Sequence, residues 1–149
     1  MSTTSKKEMK RMTERSKNLA KERTLERLHD LLTLQKELIC RFGEEQYNIF
    51  VFGSYITTSY VEGKSDVDIA VYTENFELYK QLSLYLEEYF SRKNIPSDIF
   101  FIDISMAAPI YCAPLKSQVR FTDYFPEKLS EFAEKCQEKL NEIKWRVAV

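Results

Sequence analysis

Two strand-like runs joined by a short loop constrain the fold of this chain more than any other feature of its sequence. Residues 48–52 (Asn-Ile-Phe-Val-Phe) form the first run, and residues 66–72 form the second. The loop between them is too short for a helical crossover of ordinary length, so we expect the two strands to pair antiparallel. A third run, residues 98–102, follows a helical segment and is therefore expected to pair parallel with the second.

Three helices are predicted around these strands. The first covers residues 14–42 and ends at Gly43, and the second covers residues 76–93 with Thr73 or Asn75 as its N-cap. The third covers residues 126–146 and opens with Pro126. Their expected core-facing residues are Leu25, Leu28, Leu32 and Ile39 in the first helix, Phe76, Tyr79, Leu82, Leu86 and Phe90 in the second, and Leu129, Phe132, Cys136, Leu140 and Ile143 in the last.

The order of these elements predicts an α/β (α+β) fold, in which a small mixed β-sheet is flanked by helices in the order α-β-β-α-β-α. A chain of 149 residues is the size of one domain, so we assign residues 1–149 to a single domain. Its core is expected at about residues 25–125. Residues 1–12 are predicted to be flexible or loosely helical, and residues 104–125 to be irregular.

The composition excludes several classes of site. Three widely spaced cysteines (Cys40, Cys112 and Cys136) without a CxxC motif argue against a disulfide framework. The chain has a single histidine, His29, so the usual spacings of zinc ligands are absent. His29 is expected to be structural or solvent-facing. No apolar stretch approaches the ~20 residues of a membrane span, and the N-terminus has no signal-peptide core. We therefore expect a cytoplasmic protein without a membrane segment.

The net charge of -1 conceals a basic segment near the N-terminus. Residues 6–23 carry eight basic and three acidic side chains, so this segment has a charge of +5 and the rest of the chain has -6. Such a segment can bind nucleic acid or an acidic partner, or it can be the solvated surface of a helix. The sequence leaves these alternatives open.

Three carboxylates are predicted to meet at one edge of the sheet. Asp66 and Asp68 are two residues apart at the start of the second strand, so they project from the same face, and Asp98 starts the third strand. Asp103 lies at an odd spacing from Asp98 and at the other end of that strand, which favours Asp98 as the third member. Three carboxylates can hold two divalent metal ions about 3.5–4 Å apart, with Mg²⁺ as the expected metal.

The turn at Gly53-Ser54 lies at the end of the first strand and is expected at the same edge. Glycine permits a close approach of the backbone to phosphate oxygens, and the Ser54 hydroxyl can donate a hydrogen bond to them. Tyr55 and Tyr60 follow in the loop, where they could stack on a base or be ordinary packing residues.

Gly53-Ser54, Ser65-Asp66-Val67-Asp68-Ile69 and Ser97-Asp98-Ile99 together resemble the nucleotidyltransferase superfamily that includes DNA polymerase beta. The likeness is closest to the minimal nucleotidyltransferases of bacteria and archaea, and it covers roughly residues 25–125. Two departures from that pattern are visible. The loop is one residue longer than usual, and it lacks the arginine and glycine that many minimal members carry just after Gly-Ser. No phosphate-binding cation is assigned, although Lys64, Lys116 and Arg120 are candidates.

The resemblance implies transfer of a nucleoside monophosphate, most simply AMP from ATP, to a hydroxyl acceptor with the help of Mg²⁺. Asp66, Asp68 and Asp98 would be the metal-binding and catalytic residues, and Gly53 and Ser54 would contact the nucleotide. It also implies a possible toxin-antitoxin role beside a HEPN-type partner protein, whereas a nucleic-acid acceptor has no separate support. The alternative is a binding module of the same fold with weak catalysis, which acts as an antitoxin or scaffold for a partner chain.

Overall fold

A computed structural model describes residues 5–148 of the chain. Its helices and strands follow the predicted order, with one additional short helix before the last. Two turns of 3-10 helix, Gly53–Ile56 and Pro109–Tyr111, lie between them. The elements are α1 (Lys6–Phe42), β1 (Asn48–Phe52), β2 (Val67–Tyr72), α2 (Phe76–Arg92), β3 (Ser97–Phe101), α3 (Cys112–Lys116) and α4 (Pro126–Ala148).

The three strands form one mixed sheet in the order β1-β2-β3. β1 pairs antiparallel with β2, and β2 pairs parallel with β3, which confirms both predicted pairings. On the outer side of β1, the backbone of residues 119–121 adds two further hydrogen bonds, from Val51 N–H to Val119 O (2.9 Å) and from Phe121 N–H to Ile49 O (2.9 Å). The segment expected to be irregular therefore extends the sheet and contains α3.

Helices cover the two faces of the sheet. Ile49, Val51, Ile69 and Val71 point into a core cluster that includes residues of α1 and α2. Phe50 and Ala70, which alternate with them, point into a second cluster formed with α3 and α4. This arrangement of one sheet between helical layers confirms the α+β class.

The helix α1 begins at Lys6, eight residues before the predicted start. Ser5 is its N-cap and accepts a hydrogen bond from Glu8 N–H (3.2 Å), which satisfies one of the free donors of the first turn. Residues 6–12, which were expected to be flexible or loosely helical, therefore belong to a regular helix. Residues 1–4 of that segment lie outside the described residues.

The predicted core-facing stripe of α1 is wrong for three of its four residues, and only Leu28 packs against the core. Leu25, Leu32 and Ile39 are exposed, whereas the core is filled by Leu31, Leu34, Leu38 and Phe42 of the same helix. Both sets are spaced by about one or two helical turns, so the period alone cannot tell which set faces the sheet. Contacts with the sheet make that choice.

The other two predicted helices follow their stripes more closely. Asn75 caps α2 by accepting hydrogen bonds from Glu77 N–H and Leu78 N–H, and Leu82, Leu86 and Phe90 are fully buried, although Phe76 is exposed. In α4 the residues Leu129, Phe132 and Cys136 are buried, Leu140 is half-buried and Ile143 is exposed. Within residues 5–148, no helix is long and apolar enough to cross a membrane.

Leu34→Ala should lower the free energy of unfolding by about 2–5 kcal/mol, because Leu34 is fully buried between α1 and the sheet and truncation leaves a cavity. Leu84→Ala is the matched control, since Leu84 is an exposed leucine of α2 and its truncation should change stability by less than about 0.5 kcal/mol. Urea unfolding of the two variants and the parent measures both values. Equal losses would contradict the assignment of Leu34 to the core.

Candidate active site

The chain leaves β1 through a turn that requires glycine. Gly53 has a φ of +77°, a region that side-chain-bearing residues rarely adopt. A Cβ atom at this position would lie 2.3 Å from Oδ2 of Asp68, far inside the contact distance. Gly53 therefore allows the backbone of the turn to lie directly against a carboxylate of the neighbouring strand.

The register of the sheet places Asp68 between Phe52 and Asp98. Phe52 at the end of β1 is the antiparallel partner of Asp68, and Asp98 near the start of β3 is its parallel partner. Asp66 comes directly before β2, two residues from Asp68. The end of β1 and the starts of β2 and β3 thus share one edge of the sheet, where adjacent strands lie about 4.8 Å apart.

Electrostatic repulsion acts on the central carboxylate. Burial raises the pKa of Asp68 above its ordinary value, and the negative charges of Asp98 and then Asp66 raise it further. Asp68 is half-buried, whereas Asp66 and Asp98 are exposed. A cation at this edge would relieve the repulsion, and carboxylate oxygens are the ligands that Mg²⁺ prefers. The donor set therefore suits a hard divalent cation.

The side chains are nevertheless not arranged as a ready three-ligand metal centre. Among residues 5–148, no three or more His, Cys, Asp or Glu side chains are grouped so that they could hold a metal ion. The backbone register pairs Asp68 with Asp98, and Asp66 is near enough to affect the pKa of Asp68. Asp66 and Asp98 carry like charges, so electrostatic repulsion opposes a closer approach of their carboxylates.

Ser54 and Asp103 occupy different ends of the sheet. Ser54 is half-exposed within the turn, and its backbone oxygen accepts hydrogen bonds from Thr57 N–H (2.9 Å) and from the Thr57 hydroxyl (3.0 Å). Asp103 follows β3 and accepts hydrogen bonds from Ser105 N–H (2.9 Å) and Ser105 Oγ (2.7 Å), which lower its pKa. Asp103 thus stabilises a turn at the opposite end of β3 from Asp98.

Arg27 of α1 holds the loop after Gly53-Ser54, a role that the sequence did not predict. Its Nε donates to Tyr55 O (2.8 Å), and its Nη2 donates to Thr57 O (2.9 Å). The guanidinium also lies 4.5 Å from the centre of the Tyr60 ring. An arginine 26 positions before the glycine in the chain leaves no local sequence signal of this contact.

The two tyrosines of the loop are packing residues in this structure. Tyr55 is buried and makes edge-to-face contacts with Tyr60 (5.3 Å between ring centres) and Phe90 (5.9 Å). Burial raises the pKa of Tyr55 far above its ordinary value. Of the two open interpretations, packing holds for Tyr55, since a buried ring has no free face for a base. Tyr60 is half-buried and carries Arg27 on its ring.

The three candidate cations lie on different segments of the chain. Arg120 forms a bridge with Phe50, and Val119 O accepts a hydrogen bond from Val51 N–H. This register brings Ser117 beside the end of β1. Ser117 Oγ donates to Val51 O (2.5 Å). Lys116, directly before Ser117, is exposed near the turn. Arg120 lies further from the edge and donates instead to Leu115 O and Ser117 O. Lys64 is exposed in the loop.

Comparison with known families agrees with this geometry. The sequence profile of the family described as "Polymerase beta, Nucleotidyltransferase" matches residues 39–114, about half of the chain. This chain belongs to the polymerase beta-type nucleotidyltransferase family. The match includes the turn at Gly53 and all three predicted carboxylates, and it supports a nucleotidyltransferase-type function. No curated protein matches the chain.

Gly53→Ala should destabilise this member of the nucleotidyltransferase family more than Gly63→Ala does. Both glycines have a positive φ (+77° and +78°), which costs an alanine about 1–3 kcal/mol. Only the Cβ at residue 53 would collide with Asp68, since no atom lies within 4 Å of a Cβ at Gly63. Thermal unfolding of both variants measures the cost of the collision as the difference between their losses of stability. Equal losses of stability would show that Gly53 does not need to contact Asp68.

Because the pKa of Asp68 is raised, the effect of a neutral substitution at this position on stability should depend on pH. The protonated carboxyl contributes stability below its ordinary pKa of 3.8, and this contribution is lost as pH rises through the raised pKa of the folded state. Asp68→Asn should therefore raise the melting temperature at pH 7 in EDTA, and the gain should disappear near pH 3.

Asp103→Asn is the control with the opposite sign. The pKa of Asp103 is lowered by the hydrogen bonds from Ser105. The charged form of Asp103 therefore contributes stability that is present above pH 3.8 and lost below it. This variant should lower the melting temperature at pH 7. A lower melting temperature for Asp68→Asn at that pH would contradict the repulsion within the site.

Proposed function

We propose that this protein transfers a nucleoside monophosphate, most simply AMP from ATP, to a hydroxyl acceptor. The observation that carries the proposal is the position of Asp68, which contacts the Gly53 turn on one side and is the register partner of Asp98 on the other. A phosphate-accessible turn next to paired carboxylates suits the chemistry of nucleotidyl transfer, and family membership supports the same class of reaction.

In this proposal, Gly53 and Ser54 bind the triphosphate. The Gly53 backbone is exposed in the turn and can be approached by phosphate oxygens, and the half-exposed Ser54 can donate its hydroxyl hydrogen to them. Arg27 stabilises the same turn, because its hydrogen bonds to the backbone oxygens of Tyr55 and Thr57 fix the loop. Lys116 is our candidate for neutralising phosphate charge, because it is exposed and directly precedes Ser117, whose hydroxyl bonds to Val51 O near the end of β1.

Asp66, Asp68 and Asp98 would hold Mg²⁺, and the raised pKa of Asp68 supports this fit, because its burial and the charges of Asp98 and Asp66 disfavour its ionised form when no cation is present. When bound, Mg²⁺ supplies charge neutralisation at the triphosphate and at the leaving pyrophosphate. Two ions could share the three carboxylates, as the spacing of the residues suggests.

Asp98 would receive the proton of the attacking hydroxyl. The hydroxyl oxygen forms a bond to the α-phosphorus, the bond from that phosphorus to the bridging oxygen breaks, and pyrophosphate leaves with the electron pair. Asp98 is exposed on the outer strand of the sheet, so an acceptor as large as a protein can reach it. A hydroxyl of a HEPN-type partner, within a toxin-antitoxin pair, is the acceptor that we propose.

A second candidate function is a binding module of the same fold that acts as antitoxin or scaffold with little catalysis. One specific observation favours it: the absence of a preformed group of three metal ligands among residues 5–148. In this alternative the carboxylates would contribute to partner binding rather than to transfer.

Incubation with each of the four labelled nucleoside triphosphates and Mg²⁺, alone and with a co-encoded partner, tests the proposal. The parent should release pyrophosphate and transfer label, and Asp98→Asn should lower the rate at least about 100-fold, since a general base contributes that much or more. The double variant Asp66→Asn/Asp68→Asn should be inactive.

Asp103→Asn is the matched control, because Asp103 lies at the far end of β3 and should leave the transfer rate unchanged. Transfer that survives Asp98→Asn would remove Asp98 from the proposed role. A folded parent that transfers no nucleotide in any mixture would favour the binding module.

A further inference from the structure

A row of side chains along α1 includes three large apolar residues that are exposed. Leu25, Leu32 and Ile39 have exposed fractions of 66%, 57% and 48%, and they are seven residues apart. Leu28 and Gln35 lie between them and are half-buried. We call these five residues the α1 seam. Their alternating spacing of three and four residues is that of the apolar positions in a coiled coil.

The α1 seam continues into a groove of mixed polarity. Leu28 and Leu32 line a cavity of about 250 Å³ together with Val119 and Phe121, and the polar residues Gln118 and Arg120 also line it. The amide of Gln35, the only polar member of the seam, already donates to Phe121 O (2.7 Å). An apolar helix could therefore dock here without leaving that amide unsatisfied.

The charges on either side of the seam are complementary to each other. Towards the N-terminus, α1 carries the +5 segment of residues 6–23, and every residue from 6 to 19 is exposed. Directly after the C-terminus of the helix, Glu44 and Glu45 are exposed. The N-terminal end of the seam is thus basic, and two glutamates follow its C-terminal end, where Arg41 is the last basic residue of the helix.

We propose that a second copy of this chain packs its α1 antiparallel across the α1 seam. In such a two-fold arrangement Leu32 would lie at the centre, and Leu25 would face Ile39 of the second copy. Lys17 and Lys21 would then approach Glu44 and Glu45 of the second copy, because antiparallel pairing about residue 32 aligns residue 21 with residue 43. The same surface serves both copies, so the interface is self-complementary.

Nucleic acid explains these observations less well than a second copy does. A polyanion would neutralise the basic segment, but it would leave Leu25, Leu32 and Ile39 in water and would be repelled by Glu44 and Glu45. An antiparallel second copy covers the apolar residues and brings Lys17 and Lys21 near Glu44 and Glu45. This pairing does not depend on the proposed catalytic activity.

Sedimentation equilibrium of the full chain at increasing concentration tests the pairing. The parent should be a dimer at micromolar concentration, and Leu32→Glu should weaken dimerisation at least tenfold, because it places two carboxylates at the two-fold axis. Leu84→Glu is the matched control, an equally exposed leucine (58%) on α2 that should leave the dimer unchanged. Circular dichroism of both variants checks that they fold.

Thiol crosslinking in a Cys40→Ser background tests the direction of the pairing. An equal mixture of Leu25→Cys and Ile39→Cys proteins should be crosslinked by a short bis-maleimide. Leu25→Cys alone should not, since residues 25 and 39 are about 21 Å apart along the helix at 1.5 Å per residue. Crosslinking of Leu25→Cys alone would indicate parallel pairing and would overturn the proposal.

Charge reversal tests the ends of the interface. Lys17→Glu/Lys21→Glu should weaken the dimer about tenfold, and adding Glu44→Lys/Glu45→Lys in the same chain should restore it. A monomer at all concentrations would overturn the proposal, and so would a dimer that resists Leu32→Glu. A monomer that binds a 20-nucleotide RNA with a steep salt dependence would assign the basic segment to nucleic acid instead.

Discussion

The contact between the Gly53 backbone and the Asp68 carboxylate is the interaction on which the candidate site depends. Because no Cβ intervenes, the turn after β1 lies against the second residue of β2. The parallel pairing of β2 with β3 then places Asp98 beside Asp68. The absence of a side chain at Gly53 and the register of three strands thus bring the turn and two carboxylates to one edge of the sheet.

This edge carries an electrostatic cost that the rest of the domain must offset. The pKa of Asp68 is raised by burial and by two neighbouring negative charges, so the ionised site opposes folding when no cation is present. Apolar layers on both faces of the sheet supply the compensating stability, with Leu34, Ile69, Leu82 and Phe90 fully buried. A site of this kind combines local repulsion with global stability, as is common where perturbed carboxylates serve a function.

The helix α1 serves three purposes on different faces. Leu31, Leu34 and Leu38 fill the core, and Arg27 donates hydrogen bonds to backbone oxygens of the loop after Gly53. The third face carries the α1 seam, which we assign to a second copy of the chain. Because Arg27 and the seam lie on one continuous helix, pairing of two copies would also stiffen the element that holds the loop.

Local patterns in the sequence determined the strands, the order of the main elements, and the glycine turn and carboxylates that the sheet brings to one edge. The strands were predicted to within one residue, and the short loop and the intervening helix determined the antiparallel and parallel pairings that the structure confirms. Tertiary contacts decided the rest. Two stripes on α1 have similar periods, so only packing against the sheet could choose Leu34 over Leu32. Likewise, Arg27 reaches its loop through space, and no local signal marks it. Hydrogen-bonded turns and strand alternation act between near neighbours, whereas burial depends on residues that are distant in the chain.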